Sequence, residues 1–382
     1  MDAPELINVG FPGGGNEQSA PRLVHALSRF NHDDAHGAGD VEGVQSGAPY
    51  TLEVRAVRPA DLFGLMRPPD VVLLNEPRVA DRSYAPIRAA MAAMTPGRGR
   101  PKFFVARSNG NLVGFAHFQQ DGPDRRWLAI AMGAATGVYQ AGPAWEELLR
   151  HATVAAGLRG VKRLFAKAPS GMPFLESFDR ANYSAYATES IFVSHHPIFG
   201  TSEIAVRRQE PADAWAVHQL YNAATPKQVQ YAEAWTSDRW AVNPGRSGER
   251  IGAWVLEEGH LIVGSVCVTS LGGSHRLELL YHPDRPDAAR SLIVIALAKL
   301  RKTTNIDRIC CAVRGYQAEA ATALEDRGFE PVMEQDLLIK YTTAVARVPQ
   351  SEGTPFPAEL IERLPKRAPS FPIGASVGEH GN

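Results

Sequence analysis

The feature of this sequence that most constrains its fold is an internal repeat with an offset of about 150 residues. The segment that opens with Arg55 and runs to Pro59-Ala60-Asp61 recurs as Arg207 to Pro211-Ala212-Asp213. Residues 103–118 recur in the same way as 253–268. Because the matching segments keep the same order along the chain, the sequence predicts a tandem of two similar units.

Each unit has the pattern of an α/β fold. Alternating apolar residues around a Gly-containing tip predict a β-hairpin in both copies. A strand and a helix follow, predicted at 127–132 and about 143–156 in the first unit, and at 277–281 and about 288–301 in the second. The full predicted order is strand, helix, hairpin, strand, helix, strand, helix, strand, which is typical of a mixed α/β (α+β) sheet.

The two ends of the chain differ from the repeat in composition. Residues 1–48 are rich in Gly and polar residues and are predicted to be a mobile leader. His32 and His36 have helical spacing, which leaves a metal pair as the alternative for that segment. Residues 346–382 contain closely spaced prolines, which predict a second tail without regular structure. The predicted domains are therefore 49–199 and 200–345.

The charge balance limits the classes of partner. The 382 residues carry 40 Lys and Arg against 41 Asp and Glu, a net charge of −1, and contain no long basic run. This balance argues against nucleic acid as a partner. No apolar run reaches the roughly 18 residues of a membrane span, and the first residues do not resemble a signal peptide. We expect a cytoplasmic protein with no membrane partner.

Cys267, Cys310 and Cys311 lie in apolar, β-branched segments. Three thiols without paired spacing predict neither a disulfide framework nor a zinc site, so we expect small buried apolar side chains and no metal.

The element order, the opening Arg-x-x-x-Pro-x-Asp and the closing Leu324-Glu-Asp-Arg-Gly328-Phe329 resemble the GNAT N-acetyltransferase superfamily over about residues 50–345. The tandem arrangement is similar to the two-domain, mycothiol-synthase-like members of that superfamily. The resemblance implies two tandem GNAT-like acyl-CoA N-acyltransferase domains, with acetyl-CoA as the acyl donor.

The resemblance also implies a loop that holds the CoA pyrophosphate at a helix N-terminus, where free N–H groups and the helix dipole favour an anion. In the first unit, Gly142, Pro143 and Ala144 fit part of the family pattern. Tyr139 stands where the family has Arg or Gln, and Gln140 follows one place late. The alternative is an ordinary turn between a strand and a helix.

The matching loop of the second unit contains no Gly, although Arg285, Ala289 and Arg290 provide small and cationic residues. These three are the second candidate for the pyrophosphate site. The alternative for the arginines is solvated surface.

For the base that takes a proton from the acceptor amine, the candidate is Glu278, which alternation places on the face opposite Leu277 and Leu279. Its alternative role is an ion pair with Arg276. In the family, a Tyr on the last helix commonly serves as the general acid, but Phe178 and Leu324 occupy those positions here. The better donor loop and the better base thus fall in different units.

Six aromatic residues could line an acceptor groove or belong to the core: Tyr183, Tyr186, Tyr221, Tyr231, Trp235 and Trp240. The leading hypothesis is an N-acyltransferase acting on the primary amine of a small molecule. The main alternative is a non-catalytic protein whose units serve ligand binding or assembly. A third, an aminoacyl transferase that binds transfer RNA, fits the neutral charge poorly. The sequence leaves open whether a homodimer forms.

Overall fold

A computed structural model describes residues 52–66, 70–73, 84–95, 97, 102–121, 126–134, 138–172, 174–201, 204–241, 250–271, 273–302 and 306–342. All of them lie within one compact unit. The predicted leader at 1–48 with its two histidines, and the predicted tail at 346–382, lie outside these residues. The division of the repeat into domains at residues 199 and 200 remains a prediction.

The described residues form thirteen strands and eight α-helices. The strands are β1 (Leu52–Ala56), β2 (Asp70–Leu73), β3 (Lys102–Ser108), β4 (Asn111–Asp121), β5 (Arg126–Ala134), β6 (Arg163–Pro169), β7 (Ser184–Ser194), β8 (Val206–Arg208), β9 (Arg250–Glu258), β10 (Leu261–Leu271), β11 (Ser274–Tyr281), β12 (Arg308–Arg314) and β13 (Glu330–Tyr341). The helices are α1 (Leu62–Met66), α2 (Pro86–Met94), α3 (Val138–Gly157), α4 (Leu175–Arg180), α5 (Ala214–Ala224), α6 (Lys227–Glu233), α7 (Pro286–Leu300) and α8 (Ala318–Glu325).

The strands form one mixed sheet in the order β1-β3-β4-β5-β6-β13-β7-β12-β11-β10-β9-β8, with β2 paired to β5 off this path. This confirms the predicted α/β class with a mixed sheet. The predicted element order is also present in both halves, but β2 is an additional strand that the sequence analysis did not predict.

The repeated opening motif builds the same local structure twice. The guanidinium of Arg55 donates to both carboxylate oxygens of Asp61, at 2.7 and 2.9 Å, and Arg207 does the same to Asp213, at 2.7 and 2.8 Å. Each aspartate ends a short 3₁₀ turn that opens with a proline, and its carboxylate also accepts a backbone N–H from the residue before that proline. The motif therefore fixes the turn that follows the first strand of each half.

Helices cover both faces of the sheet in each half. In the first half α3 and α4 pack on one face, with Trp145 and Phe178 fully buried, and α1 and α2 pack on the other through Leu65 and Ala90. In the second half α7 and α8 share one core, while α5 covers the opposite face. Burial of these apolar side chains is the main stabilising term of such a layered fold.

The matched glycines Gly114 and Gly264 lie where a side chain would be crowded. A Cβ on Gly114 would lie 3.0 Å from the backbone oxygen of Gly133 on β5, and one on Gly264 would lie 2.9 Å from the Cδ1 of Leu292 on α7. Both distances are shorter than an ordinary contact, so a side chain at either position would force a neighbour to shift.

Two helix boundaries differ from the predicted ones. The helix predicted at about 143–156 begins five residues earlier, at Val138, so Pro143 lies inside it. The helix predicted at about 288–301 spans Pro286–Leu300, with its proline in the first turn, where a missing N–H costs nothing.

The last strand of each half pairs with the other half. Strand β7, which ends the first half, pairs with β12 of the second half, and β13, which ends the second half, pairs with β6 of the first. The two also pair with each other. The halves therefore share one continuous sheet, in which the last strand of each half lies next to a strand of the other half.

Two further findings concern the described residues only. No helix among them is long and apolar enough to cross a bilayer. They contain no group of three or more metal-ligating side chains. Cys310 and Cys311 are buried, as predicted, while Cys267 is half-buried and so only partly fits that prediction.

Candidate functional site

Each half contains one pair of neighbouring parallel strands that separate along their length. In the first half β5 and β6 pair only from Arg126 and Arg163 to Leu128 and Phe165. In the second half β11 and β12 pair only at their first four residues, up to Leu277 and Cys311. Beyond these points the strands part towards their carboxyl ends, where α/β sheets commonly hold ligands. Each half thus has one candidate cleft.

The chain itself occupies the cleft of the first half. Strand β2 pairs antiparallel with residues 131–134 of β5, from Asp70 opposite Ala134 to Leu73 opposite Ala131. The other edge of β5 is taken at the same residues by β4. Since a strand has only two edges, β2 lies on the edge that β6 has left.

Among the described residues, no such strand lies along the corresponding edge of the second half. Residues 278–281 of β11 pair with β10 on one side, and no described strand pairs with them on the other. Because N–H and C=O groups on an open strand edge can pair with an extended ligand, this edge is the candidate binding surface.

Glu278 lies at this open edge, on the face predicted for it. Leu277 and Leu279 pack into the core beneath α7, whereas Leu280 packs on the α5 side. Alternation places Glu278 with Leu280, on the α5 side. The Glu278 carboxylate pairs loosely with the guanidinium groups of Arg276, at 3.4 Å, and Arg239, at 3.8 Å. The ion pair with Arg276 that the sequence analysis named as the alternative role is therefore present.

The start of α7, the second predicted pyrophosphate site, is already engaged with carboxylates. Arg285 precedes the helix and pairs with Glu258 and with Asp287, the latter at 3.2 Å. Hydrogen bonds from the Arg285 guanidinium lower the pKa of Asp287, and backbone N–H groups at the helix start do so too. The Asp287 carboxylate thus takes the place that an anion would need.

The other two residues of this candidate site are also accounted for. Arg290 pairs with Asp326 at 2.8 Å on the exposed surface. Ala289 is fully buried in the core beneath the sheet and presents no side chain to a ligand.

The first predicted loop lies within the first turns of α3. Gly142 is half-buried and its carbonyl accepts a hydrogen bond from the Ser177 hydroxyl at 3.2 Å, Pro143 is exposed, and Ala144 is buried. Tyr139 and Gln140 belong to the same helix, and their side chains lie outside what the structure describes. The segment that the sequence predicts as a pyrophosphate-binding loop is helical here, because α3 begins at Val138.

The positions where the family commonly has a Tyr are core positions. Phe178 packs edge to face against Trp145 and Tyr183, and Leu324 lies in the core between α7 and α8. Both side chains are fully buried, so neither can reach a cleft.

The sequence analysis missed a row of charged side chains that crosses the junction of the halves. Lys167 of β6 pairs with Glu189 of β7, Glu189 with Arg314 of β12 at 3.4 Å, and Arg314 with Glu233 of α6 at 2.8 Å. Although burial alone would raise the pKa of Glu189, Lys167 and Arg314 lower it to about 2. Glu189 therefore stays ionised. Sequence could not reveal this row, because it depends on the exchanged strand β7.

The aromatic candidates divide between core and cleft side. Tyr183 is buried in the first core and Tyr231 is exposed. Tyr221 of α5 contacts Trp235 and Trp240 with tilted rings, and the two tryptophans meet edge to face. The Tyr221 hydroxyl donates to Glu233 at 2.8 Å. Tyr186 donates to the same carboxylate at 3.5 Å. These residues form an aromatic wall on the Glu278 side of the sheet.

Several solved structures of GNAT proteins are similar to this chain. A GCN5-related N-acetyltransferase from Sphaerobacter thermophilus covers 77% of this chain and 96% of its own, with 12% identity and a TM-score of 0.48. A tandem GNAT protein from the clavulanic acid biosynthesis pathway covers 77% and 99%, with 14% identity and a TM-score of 0.44. A putative acetyltransferase from Pyrococcus horikoshii covers 81% and 94%, with 13% identity and a TM-score of 0.44.

The chain is similar to GNAT acetyltransferases. No protein-family model matches it, and no curated protein matches it either.

Proposed function

We propose that this protein transfers an acyl group, in the first instance acetyl, from an acyl-CoA to the primary amine of a small molecule, and that the donor lies in the second half. The observation that carries this proposal is the open edge of β11 at residues 278–281, next to the carboxylate of Glu278. The first cleft offers no equivalent edge because β2 covers it.

The open edge fits the donor's arm. The pantetheine arm of CoA is an extended chain with two amide groups, which can pair with the N–H and C=O groups of a strand edge. The bound donor supplies an activated thioester carbonyl. The protein's own contribution is to hold the arm along β11 and so place that carbonyl near the carboxyl end of the strand.

The pyrophosphate end fits only after a rearrangement at α7. Arg285 is the cation in reach of the helix start, and it would have to release Glu258 and Asp287 to meet a phosphate. Both ion pairs are partly exposed, and exposed pairs contribute about 0–1 kcal/mol, so exchanging a carboxylate for a phosphate costs little.

Glu278 supplies the base in this proposal. Its carboxylate would accept the proton that the amine loses when it attacks the thioester carbonyl. The C–S bond of the thioester then breaks, and the CoA thiolate leaves and takes a proton from solvent. Arg276 and Arg239 hold the carboxylate at the cleft, and the aromatic wall of Tyr221, Trp235 and Trp240 borders the acceptor side. This geometry favours a small acceptor that lies beside the aromatic wall, next to Glu278.

A non-catalytic protein is the second candidate, because two observations favour it. Asp287 lies in the first turn of α7, where a pyrophosphate would bind, and the buried side chains of Phe178 and Leu324 replace the family's Tyr. In that case the halves would serve ligand binding or assembly. Cytoplasmic location and homodimer formation remain predictions in both cases.

Acyl-CoA binding and turnover separate the two candidates. We expect the purified protein to bind acetyl-CoA and to release free thiol in a screen of small primary amines. Glu278→Gln should lower kcat by about 100-fold at neutral pH while leaving acetyl-CoA binding intact, since loss of a general base costs about 10²–10⁴-fold. Glu325→Gln, at an exposed residue of α8 on the face of the sheet opposite to Glu278, is the matched control and should change neither. Binding without any turnover would support the non-catalytic candidate.

A further inference from the structure

Strand β2 is short and has a single described partner. It contains four residues, Asp70–Leu73, and pairs only with β5, whereas the central strands of the sheet pair on both edges. A strand held along one edge is among the elements of a fold that open most readily. The residues on either side of it lie outside the described part of the chain.

The place that β2 takes is specific. It covers residues 131–134 of β5, which begin three residues after the last pairing with β6, at Leu128. In the second half residues 278–281 of β11 pair with β10 as residues 131–134 pair with β4, and they follow directly on the last pairing with β12. This is the edge assigned above to the donor. The two edges are therefore equivalent positions of the repeat, one covered and one open.

We propose that β2 is an intramolecular occupant of a second donor site, and that its release uncovers an edge on β5 that binds the extended, amide-bearing arm of an acyl-CoA. The identity of the ligand rests on the proposed function, whereas the covering of the edge rests on strand register alone. The protein as folded here thus binds one donor per chain, in the second half, and holds the first site closed.

The edge that β2 leaves is suited to close backbone approach. Residues 131 and 133 are Ala and Gly, and every residue of β5 is buried. The ring of Phe115 fills the place that a side chain at residue 133 would take, so neither residue 131 nor residue 133 carries a bulky side chain beside the edge on which β2 lies. An uncovered edge of this kind is otherwise a template for pairing with another chain, so a built-in occupant also protects the protein.

The test removes β2 from the edge and counts bound donors. Val72→Pro deletes a backbone N–H and adds a ring at the second-last residue of β2, which disfavours a paired strand. Val72→Ala is the matched control, because it keeps the N–H. The number of acetyl-CoA molecules bound per chain is measured by equilibrium dialysis, and hydrogen exchange is followed at the amides of residues 131–134.

We expect one acetyl-CoA per chain for the natural protein and for Val72→Ala. For Val72→Pro we expect two, the second weaker, with at least tenfold faster exchange at 131–134 in the absence of ligand. Faster exchange with only one donor bound would overturn the proposal, because the edge would be open but would not bind. Unchanged exchange would also overturn it, because something other than β2 would then protect the edge. A dimer of Val72→Pro in sedimentation, with one donor per chain, would do the same.

A disulfide between positions 70 and 134 supplies the opposite test. Asp70 and Ala134 are register partners, so Asp70→Cys with Ala134→Cys should lock β2 in place. The locked protein should still bind one acetyl-CoA. If it binds none while its reduced form binds one, the donor enters the first half when β2 is released, so the covered site is real and the assignment of the donor to the second half is wrong. If the locked protein binds two, β2 does not cover a donor site, and the proposal is overturned.

The failure of this inference is distinguishable from that of the proposed function. If the natural protein binds no acetyl-CoA but Val72→Pro binds one, the covered site is real and the assignment of the donor to the second half is wrong. If neither binds it although exchange at 131–134 is fast, both proposals fall.

Discussion

The two halves of the chain repeat one architecture but differ at the place where their parallel strands separate. In the first half β5 is covered at that place by β2, and in the second half the matching residues of β11 stay open. In the first half the aspartate of the opening motif, Asp61, pairs with two arginines, and in the second half Asp213 pairs with one among the described residues. We infer that the first half is built for stability and the second keeps the surface on which a ligand can bind.

The largest expected difference between the halves concerns these aspartates. Asp61 accepts from Arg55 and Arg107, each at 2.7 Å, and its side chain is 0% exposed, whereas Asp213 is 12% exposed and has Arg207 alone. Asp61→Asn should therefore cost roughly 3 kcal/mol of unfolding free energy, because it leaves two guanidinium groups without their carboxylate. Asp213→Asn should cost about 1–2 kcal/mol. Urea denaturation measures both, and equal losses would contradict the comparison.

A buried histidine of the first half predicts a pH dependence at a position where the second half has a cysteine. His117 is buried on β4 with its Nδ1 3.1 Å from the Tyr84 hydroxyl, and the matching residue of the second half is Cys267. Burial lowers the pKa of His117 to about 4. Since only the unfolded state takes up the proton below its ordinary pKa, stability should fall as the pH drops from about 6.5 towards 4, by roughly 2 kcal/mol at pH 5.

The variant His117→Gln isolates this contribution, because glutamine keeps an acceptor for Tyr84 and does not titrate. Thermal or urea unfolding at pH 5 and pH 7.5 gives the readout. The variant should lose less stability between the two pH values than the natural protein does. An identical loss in both would show that His117 takes no part in the pH dependence.

The matched glycines predict a smaller difference. A methyl group on Gly114 meets a backbone oxygen at 3.0 Å, which cannot move without distorting β5, whereas one on Gly264 meets the end of the flexible Leu292 side chain at 2.9 Å. Gly114→Ala should cost about 2–3 kcal/mol and Gly264→Ala about 1 kcal/mol, within the range for overpacked cores. Chemical denaturation of the two single variants ranks them. The reverse ranking would contradict the comparison, because it would mean that the Leu292 side chain moves less easily than the backbone oxygen of Gly133.

The smallest expected effect concerns donor affinity at α7. If a pyrophosphate binds there, Asp287→Asn removes a competing carboxylate and should tighten acetyl-CoA binding up to about tenfold, which is 1.4 kcal/mol. Arg285→Ala should weaken it by a similar factor. Calorimetric titration measures both. Unchanged affinity in both variants would place the pyrophosphate elsewhere.

Much of the fold follows from the sequence because both copies carry the same local signals. The paired motif at Arg55 and Arg207, the hairpin tips and the turn before Pro286 each specify their structure within a few residues. The exchange of β7 and β13 could not be predicted, since two similar repeats do not indicate which half the last strand of each will pair with. Strand β2 has only the short apolar run at 71–74 as a signal, and such a run does not reveal its partner.

The site residues named from the sequence remain predictions. The ion pair between Glu278 and Arg276, which the sequence analysis named as the alternative role, is present. The sequence analysis did not anticipate that Pro143 lies within α3 or that Asp287 lies in the first turn of α7 beside Arg285, because both depend on where a helix starts. The row from Lys167 to Glu233 was missed because its members come from four separate elements.

Hydrogen exchange with and without acetyl-CoA tests the central claim most directly. Residues 131–134 should be protected before any ligand is added and should not change, because β2 already pairs with them. Residues 278–281 should exchange faster in the free protein at the amides that face the cleft and slow markedly when acetyl-CoA binds. Ligand-dependent protection at 131–134, with none at 278–281, would contradict the assignment of the open cleft to the second half.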